Sequence, residues 1–330
     1  MSVATETDQV VEELRAAEKL LLTTHENPDG DALGSLTAMH WILEQLGKDS
    51  VMYMSPEEFP LSHEYRHMTL EGLLGAPPED IDQRTVVFLD CGNIDRMPVD
   101  FLQRDGIHIL NVDHHHDNTR FGTVNLVVPQ ASCTAEIVLD LAHELGAEIT
   151  PPIADALYVG LVTDTGKFMY ENTTSAAHRM AAELIEAGVD AHGVYRRLFE
   201  ELPFRRLQLL TRALQSVARY DDGAITIAAL ERADFEETGG LETDSEGVVD
   251  HLRSVEGTKV AVLVRELLSD EKRGCRKVSL RATDGVVDVS LIARTLGGGG
   301  HRQAAGATTG LAYDELVATL RQQVTEQLHP

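Results

Sequence analysis

The sequence IHILNVDHHHDN, residues 107–118, is an apolar run that ends in an aspartate and three consecutive histidines. Two more short apolar runs, LLLTT at residues 20–24 and TVVFLD at residues 85–90, also end in polar residues. Helical patterns such as LGSLTAMHWILEQLG, residues 33–47, separate runs of this kind. Strands that alternate with helices indicate parallel pairing with helices on both faces. We therefore predict an α/β fold with a doubly wound, mostly parallel sheet, in which ligands sit at the carboxyl ends of the strands.

The pattern changes near residue 221. Residues 132–220 are mostly helical, whereas AITIAAL (224–230), KVAVLVREL (259–267) and RKVSLRA (276–282) are strand-like. A chain of 330 residues is long for one domain and comfortable for two. We predict a first domain over residues 1–200, a linker helix over residues 201–220, and a smaller α/β domain over residues 221–330.

The composition limits the function. Lys and Arg total 28 against 54 Asp and Glu, a net charge of −26. Such a surface repels phosphate backbones, so we expect no tight binding to long duplex nucleic acid. Acidic residues along the whole chain suit a halophilic protein, because concentrated salt screens the self-repulsion.

The chain has few cysteines and no long apolar segment. Its three cysteines share no C-x-x-C spacing, which fits a reducing cytosol rather than a disulfide framework. No apolar run approaches the roughly 18 residues that a membrane span needs. We expect a soluble, cytoplasmic protein with no membrane partner.

Four clusters of polar residues end apolar elements and carry the candidate chemistry. Each has a structural alternative: Asp31 as a helix N-cap, Asp90 as a strand terminus, Asp164 as a helix or turn cap, and a structural histidine after a strand. The candidates are His25, Asp29 and Asp31 in HENPDGD; Asp90 in TVVFLD; Asp113, His114 and His115 in NVDHHHDN; and Asp164 in GLVTDTGKF.

Taken together, the clusters indicate a metal centre. A parallel sheet would deliver all four to one edge, where several carboxylates cannot stay ionised without a cation. Two divalent ions about 3.5–4 Å apart, sharing a bridging carboxylate, would meet this need and create a hydrolytic site. Oxygen ligands mixed with imidazoles favour Mn²⁺, with Mg²⁺ and Co²⁺ as alternatives.

The same stretches resemble a known family. HENPDGDALGS, VFLDCGNIDR, NVDHHHDN and GLVTDTGKF resemble, in order, the four signature motifs of the DHH phosphoesterase superfamily. GGGGHRQAAG, residues 297–306, resembles the DHH-associated substrate-binding domain. Within the superfamily, the chain is most similar to the short oligoribonuclease (nanoRNase, NrnA-like) and pAp phosphatase group.

The resemblance implies a role for each candidate residue. His115 would bind the substrate phosphate or act as general acid, and Asp113 would orient the histidines. Hydroxide, formed from water between two Mn²⁺ ions, would attack phosphorus. The implied metal ligands are His25 and Asp29 for the first ion, Asp31, His114 and Asp164 for the second, and Asp90 as the bridge between them.

Two residues depart from the family pattern. His116 stands where we expect an apolar or small residue, and Lys167 where we expect a small one. Lys167 would add a phosphate contact or face solvent.

The glycine run indicates substrate binding. Consecutive glycines can expose backbone N–H groups as an anion nest, with a flexible hinge as the structural alternative. Arg281, in the strand-like VSLRA, offers a planar fork that would bind a terminal phosphate or stack on a base. The predicted substrate-binding residues are Gly297, Gly298, Gly299, Gly300, His301 and Arg281.

The leading hypothesis is therefore a Mn²⁺-dependent phosphodiesterase or exonuclease on short oligonucleotides, with pAp as a further substrate. A cyclic-dinucleotide phosphodiesterase or a RecJ-like exonuclease on single-stranded DNA is the alternative. A non-catalytic nucleotide sensor is disfavoured because every expected ligand is present. Substrate preference, cleavage polarity and whether the protein is a homodimer stay open.

Overall fold

The chain divides into two compact units, Met1–Glu201 and Leu202–Pro330. A computed structural model describes residues 2–68, 70, 72–97, 99–103, 106–200 and 202–329. Over these residues, every helix is too short or too polar to cross a membrane.

The first unit is built on a parallel sheet. Its strands are β1 (Lys19–Thr23), β2 (Asp49–Tyr53), β3 (Leu73–Leu74), β4 (Thr85–Leu89), β5 (Ile109–Asp113) and β6 (Val124–Val127). They lie in the order β3-β2-β1-β4-β5-β6, and every neighbouring pair is parallel. The chain winds outward from β1 in one direction and then returns to β4 on its other side. In such sheets this reversal point opens a ligand crevice at the carboxyl ends of the strands.

Both faces of this sheet are covered, although unequally. The first unit has helices α1 (Val3–Ala16), α2 (Gly30–Gln45), α3 (Asp100–Gln103), α4 (Thr134–Leu145), α5 (Pro151–Asp164), α6 (Ser175–Glu186) and α7 (Ala191–Phe199). Leu20 and Leu22 of β1 enter the larger core with residues of α1, α2 and α4–α7. Leu21 enters a smaller core with the short helix α3 and neighbouring turns. The predicted fold class is confirmed, but most helices pack on the face of the sheet that carries the larger core.

Three helices pack closely at the edge where the candidate residues lie. Helix α2 is buried over most of its length, on all its faces. A Cβ on Gly34 would overlap the Ala156 carbonyl oxygen of α5. A Cβ on Gly160 would lie 2.8 Å from both the Asp31 Oδ1 and the Ala135 Cβ. These two glycines therefore let α5 approach α2 and the start of α4, which brings Asp31 against α4.

The second unit has its own mixed sheet. Its strands are β7 (Ala218–Tyr220), β8 (Ile225–Leu230), β9 (Val260–Glu266), β10 (Arg276–Ala282), β11 (Gly299–Gly300) and β12 (Ala304–Thr309), in the order β11-β12-β10-β9-β8-β7. Strands β8 and β9 are parallel, and the other pairs are antiparallel. Its helices are α8 (Phe204–Gln215), α9 (Arg232–Thr238), α10 (Val248–Arg253), α11 (Val289–Thr295) and α12 (Tyr313–Leu328).

Residues 202–220 of the segment predicted as a linker belong to the second unit. Leu209 and Ala213 of α8 are fully buried in a core with residues of β8, β9 and α10. The two side chains are four positions apart and so share one helix face. Strand β7 then joins the sheet beside β8. Glu201, where the predicted linker starts, lies outside the described residues.

Candidate metal centre

His25 follows the carboxyl end of β1 and is buried, with 3% of its surface exposed. Its Nδ1 lies 2.7 Å from the Glu26 carbonyl oxygen and 3.0 Å from Arg96 Nη2. Donation from Nδ1 to the carbonyl leaves the Nε2 lone pair available to a cation. That Nε2 lies 3.6 Å from Asp90 Oδ2.

Asp29 is exposed and caps helix α2. Its Oδ1 accepts hydrogen bonds from the backbone N–H groups of Asp31, at 3.0 Å, and Ala32, at 3.1 Å. The structural alternative that made Asp31 the N-cap is therefore wrong, because Asp29 does this and Asp31 lies in the first turn. Asp31 is thereby free to point into the protein.

Asp31 is 1% exposed and is held by the start of helix α4. Its Oδ2 accepts from the Thr134 N–H at 2.6 Å, and its Oδ1 from the Ala135 N–H at 2.9 Å and from Ser35 Oγ at 3.2 Å. Burial raises the pKa of Asp31 well above its usual range, and the nearby carboxylates of Asp90 and Asp164 raise it further. These hydrogen bonds do not neutralise the carboxylate, so a nearby positive charge would stabilise its ionised form.

Asp90, directly after β4, presents one oxygen to each side of the cluster. Its Oδ2 faces His25, and its Oδ1 lies 3.7 Å from His114 Nε2. Oδ1 also accepts a hydrogen bond from Thr134 Oγ1 at 2.9 Å. The backbone of Asp90 is left-handed, with φ of 58°, which costs energy in a residue with a side chain. Burial opposes its ionisation, but His25 and His115 outweigh burial and hold the pKa of Asp90 below its usual range.

Asp164 reaches the cluster from a helix end. It is the last residue of α5, so the expectation that a parallel sheet delivers all four clusters is wrong for this one. Its Oδ2 lies 3.7 Å from His114 Nε2, which is also 4.0 Å from Asp31 Oδ2. Burial raises the pKa of Asp164 to about 7, against the opposing effect of His114.

His115 lies between Asp90 and Asp113, with its Nδ1 3.6 Å from Asp90 Oδ1 and in hydrogen-bond contact with Asp113. His115 Nδ1 lies 2.7 Å from Asp113 Oδ1, and Asn118 Nδ2 donates to Asp113 Oδ2 at 2.6 Å. Burial alone would lower the pKa of His115, but the hydrogen bond to Asp113 outweighs it and raises the pKa to about 9. His115 is therefore a proton donor held by a fixed carboxylate. The neighbouring His116 is exposed.

Two groups of candidate ligand atoms lie on either side of Asp90, and Asp90 also forms a group of this kind with Asp113 and His115. Oxygen and imidazole donors in such groups fit a pair of divalent cations such as Mn²⁺ or Mg²⁺. The raised pKa values of Asp31 and Asp164 fit the same conclusion, because both carboxylates lack a sufficient counter-charge. Within each group the atoms lie within 4.8 Å of one another: His25, Asp29 and Asp90 in the first, and Asp31, His114 and Asp164 in the second.

Comparison with known proteins identifies the family. Residues 19–161 match the DHH family N-terminal domain, and residues 225–326 match the DHHA1 domain. The chain belongs to the DHH family. It is 36% identical to the bifunctional oligoribonuclease and PAP phosphatase NrnA of Thermus thermophilus, over 97% of this chain and 93% of that protein. The resemblance to the NrnA-like group of DHH proteins is thereby confirmed.

Solved structures show the same fold. An exopolyphosphatase-related protein from Bacteroides fragilis superposes with a TM-score of 0.86 at 23% identity, covering 98% of this chain and 96% of that one. RecJ of Thermus thermophilus in complex with Mn²⁺ superposes with a TM-score of 0.58 at 15% identity, covering 100% of this chain and 55% of its own. At these identities the likeness concerns the DHH fold alone.

The glycines of residues 297–300, within the DHHA1 match, form backbone hydrogen bonds with nearby residues of the second unit. The N–H groups of Gly297 and Gly298 donate to Arg294 and Ala293 carbonyls, which end helix α11. The prediction of an anion nest is therefore wrong for these two glycines, because their donors are already used. Gly299 and Gly300 form β11 and pair with β12.

The other substrate-binding candidates are placed as follows. The His301 N–H closes the turn between β11 and β12 with the Ala304 carbonyl at 2.7 Å. Arg281 lies near the end of β10, half-buried, with its Nε 3.8 Å from Asp250 Oδ1. All six predicted substrate-binding residues belong to the second unit, whereas the two ligand groups belong to the first.

Three residues around the metal centre were given no role by the sequence analysis. Thr134 contacts Asp31 and Asp90, Arg96 contacts His25, and Asn172 Nδ2 donates to Asp164 Oδ2 at 3.0 Å. The sequence feature that could have pointed to Thr134 is its position at the start of a predicted amphipathic helix, because helix packing fixes the side chains there. Lys167 is exposed, with its Nζ 4.8 Å from the centre of the Phe199 ring.

Proposed function

We infer that this DHH protein is a metal-dependent phosphoesterase that hydrolyses short oligonucleotides, with pAp as a further substrate. The observation that carries the proposal is the pair of ligand groups joined at Asp90, whose two oxygens face opposite sides. The name of the Thermus thermophilus relative supports the substrate class.

The proposed centre holds two Mn²⁺ ions, with Mg²⁺ and Co²⁺ as alternatives. His25 and Asp29 would bind the first ion, Asp31, His114 and Asp164 the second, and Asp90 both. When bound, such ions lower the pKa of a water molecule and offset the negative charge of the phosphate. The chain contributes the fixed orientation of these ligands, since Asp31 and Asp90 are each anchored by hydrogen bonds.

His115 would act on the substrate rather than on the ions. Its Nδ1 is engaged by Asp113, which holds the ring in one orientation, and the protonated ring can donate to a phosphate oxygen or a leaving group. Asp113 would be a positioning residue, itself fixed by Asn118. A protonated His115 can bind the phosphate and give up a proton as the ester bond breaks.

The second unit would hold the nucleotide beside the scissile phosphate. Arg281 provides a planar pair of donors, and its neighbour Asp250 leaves it partly neutralised. Gly299, Gly300 and His301 form the adjoining hairpin. Gly297 and Gly298 support this hairpin through their bonds to α11 rather than through donors to the substrate.

Three further proposals concern the protein's setting. The free thiols Cys91, Cys133 and Cys275 support a cytoplasmic, reducing location. The net charge of −26 supports a salt-rich environment and argues against long duplex nucleic acid as a partner. The formation of a homodimer stays a hypothesis that light scattering can test.

A product ladder tests the function. End-labelled RNA and DNA of two to about twenty nucleotides, pAp and cyclic dinucleotides are each incubated with the metal-stripped protein, with and without added Mn²⁺. We expect Mn²⁺-dependent hydrolysis of the shortest RNA substrates and phosphate release from pAp. Preference for cyclic dinucleotides or for single-stranded DNA would favour the alternatives, and nucleotide binding without turnover would indicate a sensor.

A further inference from the structure

Thr134 joins the two most buried carboxylates of the metal centre. We propose that it is a positioning residue whose hydroxyl sets Asp90 in its bridging orientation. The inference rests on the proposed two-metal site, to which it adds a residue outside the ligand set.

The contacts of Thr134 are unusual for one residue. Its backbone N–H donates to Asp31 Oδ2 at 2.6 Å, and its Oγ1 donates to Asp90 Oδ1 at 2.9 Å. Thr134 is completely buried, so neither contact is exposed to competing water. It is the first residue of α4, and Cys133 occupies the N-cap position, so the Thr134 hydroxyl is free to serve the carboxylate.

The hydroxyl decides which way the Asp90 carboxylate faces. A carboxylate turns about its last side-chain torsion, for which the energy minima are broad. A donor fixed on Oδ1 holds that oxygen on the His114 side and so leaves Oδ2 on the His25 side. Without the donor, rotation of the carboxylate would move both oxygens away from their two groups at once.

Two other buried threonines of the same unit use their hydroxyls for local bonds. Thr37 Oγ1 donates to the Leu33 carbonyl at 2.7 Å, and Thr165 Oγ1 to the Leu161 carbonyl at 2.6 Å. Both bonds return to the preceding turn of the residue's own chain segment, a common local pattern. The Thr134 hydroxyl instead reaches a carboxylate 44 residues away in the chain. Thr23, which is also buried, makes a long-range bond too, but to a backbone carbonyl, that of Tyr53 at 3.1 Å.

The test compares Thr134→Val, Thr134→Ser and the control Thr37→Val in the full-length protein. Valine keeps the shape of threonine and removes the hydroxyl, and serine restores the hydroxyl. The control removes a buried hydroxyl bond of similar length that ends on a backbone carbonyl rather than on a candidate ligand. Mn²⁺ binding to the metal-stripped proteins is measured by calorimetry, and the coupling between bound Mn²⁺ ions by electron paramagnetic resonance.

We expect Thr134→Val to weaken Mn²⁺ binding by about 10- to 100-fold, as loss of a partner behind a metal ligand typically does. The spectrum of coupled ions should also be lost or altered in this variant. Thr134→Ser and Thr37→Val should bind two ions and give the spectrum of the unaltered protein.

Unchanged affinity and coupling in Thr134→Val would overturn the positioning role, as would a serine variant as impaired as the valine variant. If Thr134→Val does not fold, as judged by circular dichroism, Thr134→Ala is assessed by the same criteria. If the unaltered protein itself binds fewer than two ions, the proposed function fails rather than the role of Thr134.

Discussion

Asp31, Asp90 and Asp113 are each at most 2% exposed, although burial of a carboxylate is costly. Hydrogen bonds offset part of this cost. Asp31 accepts three of them, and Asp90 accepts one from Thr134. Asp113 has His115 and Asn118 as hydrogen-bond partners. The pKa of Asp113 lies below its usual range because these partners outweigh burial, whereas the pKa of Asp31 is raised. The ionised form of Asp113 is therefore stabilised by hydrogen bonds within the chain, whereas the ionised form of Asp31 would require a nearby cation.

The assignment of His115 to the substrate predicts a separation of rate from metal content. His115→Ala should keep both ions, because its Nδ1 is bonded to Asp113, while the rate falls by about 10²- to 10⁴-fold, as expected for loss of a general acid. Metal content by mass spectrometry and kcat on a labelled dinucleotide check this.

The matched control for this prediction is His116→Ala, which alters the exposed neighbour and should leave both quantities unchanged. If His115→Ala lost an ion while His114→Ala retained both, the roles of the two histidines would have to be exchanged.

At the scale of single residues, the sequence shows the candidate ligands but not the residues that hold them in place. His25, Asp29 and Asp31 stand together in one short stretch, so their residue types and spacing are visible without a structure. The contact between Thr134 and Asp90 spans 44 positions and depends on how closely α2, α4 and α5 approach. No local pattern encodes such an approach.

At the scale of elements, the candidate metal centre is assembled from strand ends and helix ends together. β1, β4 and β5 lead to His25, Asp90 and His114, as the alternating pattern of the sequence predicted. Asp164 comes instead from the end of α5, because an apolar run alone does not distinguish a buried helix from a strand. The glycine run shows the same limit, since only the structure reveals that two of its donors close helix α11.

The close approach of α5 to the ligand cluster predicts the effect of a single added methyl group. Gly160→Ala should destabilise the protein by about 1–3 kcal/mol, because its Cβ would press on both Ala135 and Asp31. It should also weaken metal binding, since Asp31 would have to move. Urea unfolding and calorimetry of Mn²⁺ binding measure the two effects.

Gly285→Ala is the control for this substitution, because no described atom lies within 4 Å of its added Cβ. A Gly160→Ala protein as stable as the control would show that α5 can shift without cost.

Strand β10 carries the element-scale prediction for the second unit. Arg281→Ala should lower kcat/KM for a dinucleotide by about 10- to 150-fold, the effect of losing one charge-assisted hydrogen-bonding group of about 1.5–3 kcal/mol. It should barely change hydrolysis of bis-p-nitrophenyl phosphate, which has no second nucleotide.

Lys277→Ala provides the comparison, since Lys277 lies on the same face of β10 four residues earlier and carries the same charge. Equal losses on both substrates in Arg281→Ala would mean that Arg281 serves the chemistry or the fold.

At the scale of the whole molecule, the net charge of −26 sets the response to salt. Self-repulsion at this charge destabilises the folded chain, and the Debye length shrinks from about 10 Å at 0.1 M salt to about 3 Å at 1 M. The sequence predicts two domains and shows a large excess of acidic residues. It does not show on which side α8 packs, because the burial of Leu209 and Ala213 in a core with residues of the second unit depends on contacts distant in sequence.

We therefore expect the thermal midpoint of the metal-loaded protein to rise between about 0.1 M and 1 M KCl. A rise of about 2–4 °C would correspond to about 1 kcal/mol in a chain of this size. A neutral solute at matched osmolality is the control. A midpoint that is flat or falls with KCl would show that charge repulsion does not limit stability.

The central claim, that two divalent ions share Asp90 in a hydrolytic site, is tested most directly by Asp90→Asn, which keeps the side-chain size and removes the charge. We would measure kcat/KM on a labelled dinucleotide after chelation and again after Mn²⁺ is restored, with the exposed Asp95→Asn as control. The account predicts that chelation abolishes activity, that Mn²⁺ restores it in the unaltered and control proteins, and that Asp90→Asn stays at least about 10³-fold slower. Substantial activity of Asp90→Asn with Mn²⁺, or of any of these proteins without metal, would contradict it.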